Sequence, residues 1–221
     1  MLFNYKRAKS NKLKPSIEKA LNEQVNAEFF SAYLYMSMVT YFESIGYKKE
    51  ADFFRKQAKG ELKHAVKFCE YIMERGGRAK LTELKKPQSE WKSPLKAAED
   101  TLEHEKMITG RINDLVELAK KENDSETEKM LKWFVKEQVE EEEVSNDLIK
   151  NLNKKASFNY KRANRKIKAG MAGELYQQIK QLIESVEEVN DLLQVRDGIN
   201  QLLSEKYNQL TAKEMPPKYT F

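Results

Sequence analysis

Four long segments of this chain carry apolar residues at helical spacing, and each has a carboxylate inside its apolar stripe. Steps of three and four residues place side chains on one face of an α-helix. The segments span about 14–45, 48–75, 94–121 and 126–152, and the acids in their stripes are Glu28, Glu61, Glu105 and Glu141. Burying an unpaired carboxylate is very costly. A single such acid would suggest a misjudged helix face, but one on every helix indicates that the acids meet inside the fold.

The connections between these segments predict an all-α four-helix bundle. The connections after the first and third segments are short, so each joins antiparallel neighbours. The second connection spans 76–92, contains Pro87, and is long enough to cross along the bundle, which makes the second and third helices parallel. Ser93 followed by Pro94 predicts the start of the third helix. Ser125 with Glu128 predicts a capping box at the start of the fourth.

The polar residues in the stripes also match in depth. Glu28 and Glu61 lie on opposite sides of the turn at Gly46, at similar separations from it along the chain. In the third and fourth segments, Glu105 and Gln138 flank a turn near Asn123 in the same way. Glu105 and Gln138 are 33 residues apart in the chain, as are Glu28 and Glu61. At a rise of about 1.5 Å per residue, each antiparallel pair meets at a similar height.

The same cluster includes an imidazole. His64 follows Glu61 at i+3, which places both side chains on one helix face, one turn apart. The candidate metal ligands around one point in the bundle are Glu28, Glu61, His64, Glu105, Gln138 and Glu141. Oxygen-rich ligands with one imidazole suit iron or manganese, with zinc as a further candidate, and several carboxylates can bridge two ions. The alternative is a solvated or protonated acid cluster without a metal.

Charge is unevenly distributed along the 221 residues, whose net charge is +5. Residues 1–14 carry five Lys and Arg, residues 154–168 carry seven, and neither segment has an acid. The remaining segments, 15–153 and 169–221, have net charges of −4 and −3. The basic pI therefore belongs to two short segments beside an acidic body.

Cysteine usage and hydropathy favour a cytoplasmic location. Cys69 is the one cysteine of the sequence, so an intrachain disulfide is excluded. The first residues lack the apolar core of a secretion signal, and no run approaches the roughly 20 apolar residues of a membrane span. We expect Cys69 to be a small buried apolar residue in preference to a metal or redox site.

Four sequence stretches resemble the non-haem ferritins of bacteria and archaea, and the resemblance covers about 15–152. They are LNEQVNAEFFSAYLY at 21–35, ELKHA at 61–65, EHEK at 103–106 and WFVKEQVEEE at 133–142. The resemblance implies a ferritin-like fold with a di-iron centre. It also implies oxidation of two Fe(II) by oxygen or peroxide, followed by storage of ferric mineral in a hollow homo-oligomeric shell. The family shell has twenty-four subunits.

The resemblance also assigns roles within the cluster. It implies a first iron site formed by Glu28, Glu61 and His64. The second site consists of Glu61, Glu105 and Gln138 with Glu141 nearby, so that Glu61 bridges the two ions. Tyr35 resembles the family's tyrosine beside the ferroxidase centre and Trp133 its neighbouring tryptophan, although both are equally well explained as core aromatics.

Two departures from related patterns refine this expectation. Many bacterial ferritins have a third iron site, built from an acid just before the bridging glutamate and from acids on the fourth helix. Glu137 and Glu140 match the fourth-helix acids and are weaker candidate ligands, but Gly60 stands where the preceding acid would be, so we expect an incomplete third site.

Haem is not expected, because a bacterioferritin would have histidine at Glu141 and methionine at Leu62. His104 lies about 100° round the helix from Glu105 and is expected outside the ligand shell.

An exact repeat lies outside the bundle. FNYKRA at 3–8 recurs at 158–163. We expect a basic aromatic segment at 1–14, the di-iron domain at 15–153 and a basic linker at 154–173. We expect a helical tail at 174–221, in the form of a coiled coil or a helical hairpin. The repeats are either solvated linkers or docking peptides for nucleic acid, a membrane or a protein partner. The tail replaces the short helix that packs at the family's fourfold axes, which leaves the assembly symmetry open.

Three functional hypotheses follow. The leading one is an iron-storage ferritin with ferroxidase activity. The alternative is a ferritin-derived structural or docking protein that binds its partner through the repeats and the tail. A third is a smaller di-iron oxidase held inside a separate compartment.

Overall fold

The four predicted helices are present and make up most of the described part of the protein. A computed structural model describes residues 12–170 together with 177, 178, 180, 181, 201 and 202. The helices are α1 (Pro15–Ser44), α2 (Lys48–Glu74), α3 (Pro94–Lys121) and α4 (Ser125–Gly170). Among the described residues there is no strand, which confirms the all-α class. The chain divides into two compact units, Met1–Leu148 and Ile149–Phe221, and the candidate site belongs to the first.

Side-chain contacts between helices give the topology. The α1–α2 turn passes through Gly46, whose φ of 76° lies in the region that favours glycine, and it makes these two helices antiparallel. Along α1, Gln24 contacts Arg111 of α3, and Met38 contacts Thr101, so α3 also runs antiparallel to α1. The second and third helices are therefore parallel, as the long crossover predicts.

Two asparagines of α1 fix the crossover segment to the bundle. Asn22 donates to the carbonyl oxygen of Arg78 and accepts from the backbone N–H of Lys80. Asn26, one turn later, donates to the carbonyl oxygen of Lys80 at 3.0 Å and accepts from the N–H of Thr82 at 2.8 Å. Each amide thus pairs with the loop as a neighbouring strand would, which satisfies backbone groups that have no helix partner.

The starts of α3 and α4 show one correct and one wrong capping prediction. Ser93 Oγ accepts from the backbone N–H of Lys96 at 3.0 Å, which confirms it as the N-cap. The predicted cap Ser125 is wrong, because Asp124 Oδ1 accepts from the N–H of Thr127 at 3.1 Å. The helix begins one residue earlier than expected, directly after the turn that contains the positive-φ residue Asn123.

Asp124 also joins the end of α2 to the start of α4. Its two carboxylate oxygens accept from Nη1 and Nη2 of Arg75 at 3.0 and 3.1 Å. Arg75 is 5% exposed and Asp124 is similarly buried. Paired, fork-like hydrogen bonds of this kind combine charge with a fixed geometry.

The inward face of α2 differs from the predicted stripe at its first turns. Phe54 and Ala58 are buried, whereas the predicted Phe53 and Gln57 are only half-buried. Phe53 lies eight residues before Glu61, which places it about 80° round the helix from Glu61. Phe54 lies seven residues before Glu61, which places it within about 20° of the same face. The helical period of about 3.6 therefore selects Phe54.

The fourth helix continues beyond its predicted end near 152 as far as Gly170. The sequence from 153 to 169 contains no proline or glycine, and Lys, Arg and Ala are good helix formers, so nothing ends the helix there. The segment predicted as a basic linker is thus helical to Gly170 and includes the second FNYKRA copy. The first copy and most of the tail lie outside the described residues, and the domain boundaries remain predictions.

Two apolar layers enclose the level at which the acids lie. Tyr35, Phe42 and Phe54 pack together toward the α1–α2 turn. On the other side, Phe68 of α2 stacks on Phe134 of α4 with ring centroids 4.0 Å apart. Glu28, Glu61 and Glu105, which lie between these layers, are therefore shielded from water. Within the described residues, no helix has both the length and the apolar character needed to cross a membrane.

Candidate metal centre

Three carboxylates from three different helices are buried in the bundle. Glu28 is 1% exposed, Glu61 is 2% exposed and Glu105 is 1% exposed. His64 and Gln138 are also buried. These five residues occupy the inward stripes that the sequence predicts, and their helices bring them to one level.

Glu28, Glu61 and His64 form one group of candidate ligands. One ligand atom of each lies within 4.8 Å of the others. His64 Nδ1 is 3.3 Å from Glu61 Oε2 and 4.0 Å from Glu28 Oε2. In the described part of the chain, Glu28 Oε2 is buried and accepts no hydrogen bond. A buried acceptor of this kind, beside a second carboxylate and an imidazole, suits a bound cation.

Glu105 and Gln138 contact each other, and Glu105 lies near enough to Glu61 to affect its charge. The phenol of Tyr35 donates to Glu105 Oε1, and Gln138 Nε2 lies 3.3 Å from Glu105 Oε2. Burial raises the pKa of Glu61, and the charge of Glu105 raises it further. The structure thus keeps the two residues predicted for the second ion in mutual contact, with both oxygens of Glu105 held by neighbouring side chains.

A second group of ligand atoms shares the same imidazole. Atoms of His64, Glu137 and Glu141 lie within 4.8 Å of one another, and His64 Nε2 is 3.7 Å from Glu137 Oε1. Gln57 donates to Glu141. Glu140, in contrast, is exposed on α4, and its Oε1 is 3.5 Å from Lys136 Nζ. The structure therefore places Glu137 beside His64 and Glu140 outside both groups.

The closeness of Glu137 to His64 was not predicted from the sequence. Its signal is the i, i+4 spacing to Glu141, which puts both acids on one face of α4. The predicted stripe included only Glu141 from this pair.

The electrostatics of the cluster favour protons or a cation. Burial raises the pKa of Glu28 well above its ordinary value, and the neighbouring Glu61 raises it further. Burial likewise raises the pKa of Glu61 and of Glu105, and it raises that of Glu141 to about 7. In the described residues, no lysine or arginine forms an ion pair with Glu28, Glu61 or Glu105. A divalent cation would stabilise the charged forms and displace the protons.

The two predicted aromatic neighbours occupy different environments. Tyr35 is fully buried and donates to a candidate ligand, and burial and the charge of Glu105 raise the pKa of its phenol. Trp133 is 38% exposed, and its ring packs edge-on against His64 with centroids 5.6 Å apart. Lys67 Nζ lies 3.5 Å from the centroid of the Trp133 ring. Trp133 is therefore not a core aromatic, and a redox role for either residue remains a prediction.

His104 and Cys69 lie outside the two groups of ligand atoms. His104 Nε2 is 2.8 Å from Ser31 Oγ, and its ring packs against Phe30 and Tyr35. Burial lowers the pKa of His104 to about 4, so the ring is neutral at pH 7. Cys69 is half-buried beside the apolar core, and burial raises its pKa.

Two residues that support the cluster, one directly and one through the other, were missed by the sequence reasoning. Gln24 is buried on α1 and donates from Nε2 to Glu28 Oε1 at 2.7 Å. Arg111 of α3 donates from Nε to Gln24 Oε1 at 2.9 Å. Gln24 lies one turn before Glu28, which was the available signal, whereas the reach of Arg111 depends on how α1 and α3 pack.

With this geometry established, comparisons with known proteins decide the family. A family model described as "Ferritin-like domain" matches residues 18–155, more than half of the chain. The chain belongs to the ferritin family. The matched part of this ferritin includes both groups of ligand atoms and ends before the second FNYKRA copy.

Individual ferritins align over most of their own length. A bacterial non-heme ferritin of Bacteroides fragilis is 38% identical over 133 residues, covering 60% of this chain and 84% of the relative. A bacterial non-heme ferritin of Staphylococcus haemolyticus is 39% identical over 142 residues, covering 64% and 86%.

Solved structures that are similar to this chain are also ferritins. The open pore ferritin of the hyperthermophilic archaeon Archaeoglobus fulgidus has a TM-score of 0.63 and 48% identity, covering 64% of this chain and 86% of that one. The ferritin of Chlorobium tepidum has a TM-score of 0.63 and 36% identity, covering 70% and 98%. The match to the family model ends at residue 155, so it covers the ferritin bundle and not the C-terminal remainder of this chain.

Proposed function

We propose that this ferritin binds two Fe(II) ions inside its bundle, oxidises them with oxygen or peroxide, and stores the ferric product as mineral in a multi-subunit shell. The observation that carries the proposal is the buried cluster of Glu28, Glu61 and His64, with one carboxylate oxygen left without a hydrogen bond in the described part of the chain. The names of the aligned relatives, bacterial non-heme ferritins, support iron as the metal.

Each residue has a role suited to its contacts. Glu28 and His64 bind the first ion, and Glu61 bridges to the second. Glu105 and Gln138 bind the second ion, and the hydrogen bond from Tyr35 orients Glu105. Two Fe(II) side by side deliver two electrons to one oxidant molecule, which avoids a one-electron product.

The second group of ligand atoms supplies carboxylates on the more exposed side of His64. Glu137 and Glu141 are half-buried, whereas Glu28, Glu61 and Glu105 are buried. We assign Glu141 to the second ion. Glu137 is assigned to ions that pass between the cluster and the surface of the bundle.

Assembly into a shell is supported by exposed apolar side chains as well as by the family. Tyr33 and Met36 of α1 and Leu62 and Val66 of α2 are all exposed. Large apolar side chains at the surface are typical of faces that pack against another protein. We assign that partner as further copies of this chain.

The activity is tested by adding Fe(II) without oxygen, admitting air, and recording the rise of ferric absorbance. We expect Glu61→Ala combined with His64→Ala to lower the initial rate by at least about tenfold, because both ions lose a ligand. Glu143→Ala removes an exposed acid of α4 and is the matched control, with an unchanged rate. An unchanged rate in the double variant would reject the proposed centre.

A further inference from the structure

The two carboxylate oxygens of Glu28 have different partners. Oε1 accepts a hydrogen bond from Gln24 Nε2 at 2.7 Å. In the described part of the chain, Oε2 accepts none, and it lies 4.0 Å from His64 Nδ1. Oε2 is therefore the oxygen left for a cation, and the contact with Gln24 determines which oxygen that is.

The amide of Gln24 has a donor end and an acceptor end, and a third residue selects between them. Arg111 Nε donates to Gln24 Oε1 at 2.9 Å. A guanidinium has donors and no acceptor, so it can only face the oxygen of the amide. The amide NH2 must then point at Glu28. Without Arg111, the amide keeps only its contact with Glu28 and loses the partner that holds its oxygen end, so the position of the NH2 group against the carboxylate is less well fixed.

The chain of contacts runs from the surface to the metal cluster. Gln24 and Glu28 are buried one turn apart on α1, whereas Arg111 of α3 is half-buried. Arg111 also lines a surface cleft beside Asn22, Asn26 and other residues of α1 and the crossover. A substitution at Arg111 thus changes a polar cleft and leaves the apolar core intact.

We propose that Arg111 and Gln24 are positioning residues for the metal site: Arg111 fixes the amide of Gln24, and that amide holds Glu28 Oε1 so that Oε2 faces the cation. This inference rests on the proposed function only in requiring that a divalent metal binds at Glu28. Neither residue touches the metal, and both act through Glu28.

Co(II) bound to the full-length protein is the probe, because its visible absorption reports the ligand set and it is not consumed by oxidation. Arg111→Met and Gln24→Met keep side-chain volume and remove the hydrogen bonds. We expect each to weaken tight Co(II) binding by about tenfold and to change the Co(II) spectrum. Arg111→Lys keeps a donor for Gln24 Oε1 and should restore most of the affinity. Arg55→Met removes an exposed arginine that pairs with Glu43 and Asp52, and should change neither readout.

The double variant distinguishes positioning from general destabilisation. If Arg111 acts through Gln24, adding Arg111→Met to Gln24→Met should cause no further loss of affinity. Gln24→Asn shortens the amide by one methylene and breaks the contacts by a second route, with the same expected loss. Thermal unfolding of the metal-free variants is recorded in parallel. The ranking of the variants by melting temperature should differ from their ranking by Co(II) affinity.

Two results would overturn the inference. One is an unchanged Co(II) affinity and spectrum in Arg111→Met, while Glu28→Ala abolishes tight binding; the proposed function would then stand and the positioning role would fall. The other is a wild-type protein without a tight Co(II) site that depends on Glu28, which would reject both. A third result would separate the two proposals. If Co(II) affinity depends on Arg111 and Gln24 as expected but the wild-type protein oxidises Fe(II) slowly, the positioning role would stand and the ferroxidase proposal alone would be rejected.

Discussion

Glu61 is the residue on which most of the candidate centre depends. It is buried beside His64, and burial, Glu105 and Glu141 all raise its pKa. A buried carboxylate among other carboxylates is stable only when it is protonated or bound to a cation. Its closeness to His64 and the influence of Glu105 on its charge support the proposal that it bridges two ions.

The raised pKa values predict that metal binding releases protons and strengthens as pH rises. Carboxyl groups with raised pKa values hold protons at a pH where ordinary glutamates are charged, and a metal must displace these protons. Affinity for Fe(II) or Co(II) should therefore fall as pH decreases through the pKa of Glu141 at about 7. Calorimetry in two buffers of different ionisation enthalpy measures the protons released. Glu141→Gln should release fewer, and zero release by the wild type at pH 7 would contradict this interpretation of the cluster.

At the residue scale, the sequence predicts which polar side chains cluster inside the bundle and misses their supporting contacts. Glu28, Glu61 and Glu105 were predictable because a helical stripe places a residue on the inward face regardless of its rotamer. The contact between His64 and Glu137 and that between Gln24 and Arg111 depend on side-chain rotamers and on which turns of neighbouring helices face each other. The spacing of residues along one helix does not show which rotamers they adopt or which turns of a neighbouring helix they face.

At the scale of helices, Gly60 is an interior position of α2 where side-chain space is available. A Cβ added at Gly60 meets no atom within 4 Å, whereas one at Gly77 would lie 3.0 Å from Ile72 Cγ2 and 3.1 Å from Glu18 Cδ. Gly60→Ala should raise the free energy of unfolding by about 0.5–1 kcal/mol, because alanine is the better helix former. Gly77→Ala should lower it, because its neighbours must move. Denaturant unfolding of the metal-free protein checks both, and a loss of stability in Gly60→Ala would show that the glycine is required there.

The contact between the end of α2 and the start of α4 carries a second stability prediction. Asp124→Ala removes the N-cap of α4 and leaves buried Arg75 with fewer partners, so we expect a loss of about 3 kcal/mol in unfolding free energy. Asp52→Ala breaks the exposed pair with Arg55 and serves as the control, with little change. Equal effects of the two substitutions in thermal or denaturant unfolding would contradict the role assigned to Asp124.

Helix existence was predictable, and helix ends were less so. The apolar stripes extended over enough turns to predict all four helices and the crossover. The fourth helix was predicted to end where its stripe ends, near 152, although no proline or glycine breaks it before Gly170. An apolar stripe shows where a helix is buried, and a solvated helix continues without one.

A docking role for the second FNYKRA copy remains a hypothesis. Its second copy lies within α4, where Phe158 is 58% exposed and the segment from 154 to 168 carries seven basic residues and no acid. These features are compatible with a docking surface and with a solvated helix alike. Its partner remains a prediction from the sequence.

For the whole molecule, the family and the exposed apolar residues of α1 and α2 predict a hollow assembly. Purified protein imaged by electron microscopy should show hollow particles, and iron loading should add electron-dense cores. Removing residues 171–221 tests whether the tail, which we expect to stand in place of the family's short terminal helix, sets the particle size. Preparations containing only monomers or dimers, with or without the tail, would contradict the shell.

Storage and oxidation alike require that two Fe(II) ions bind in the bundle at the cluster built around Glu61. Anaerobic Fe(II) titration followed by calorimetry tests this requirement. We expect two tightly bound ions per chain in the wild type and loss of both tight sites in Glu61→Ala, while Glu143→Ala retains them. A stoichiometry below one ion per chain, or two tight ions that persist in Glu61→Ala, would contradict it.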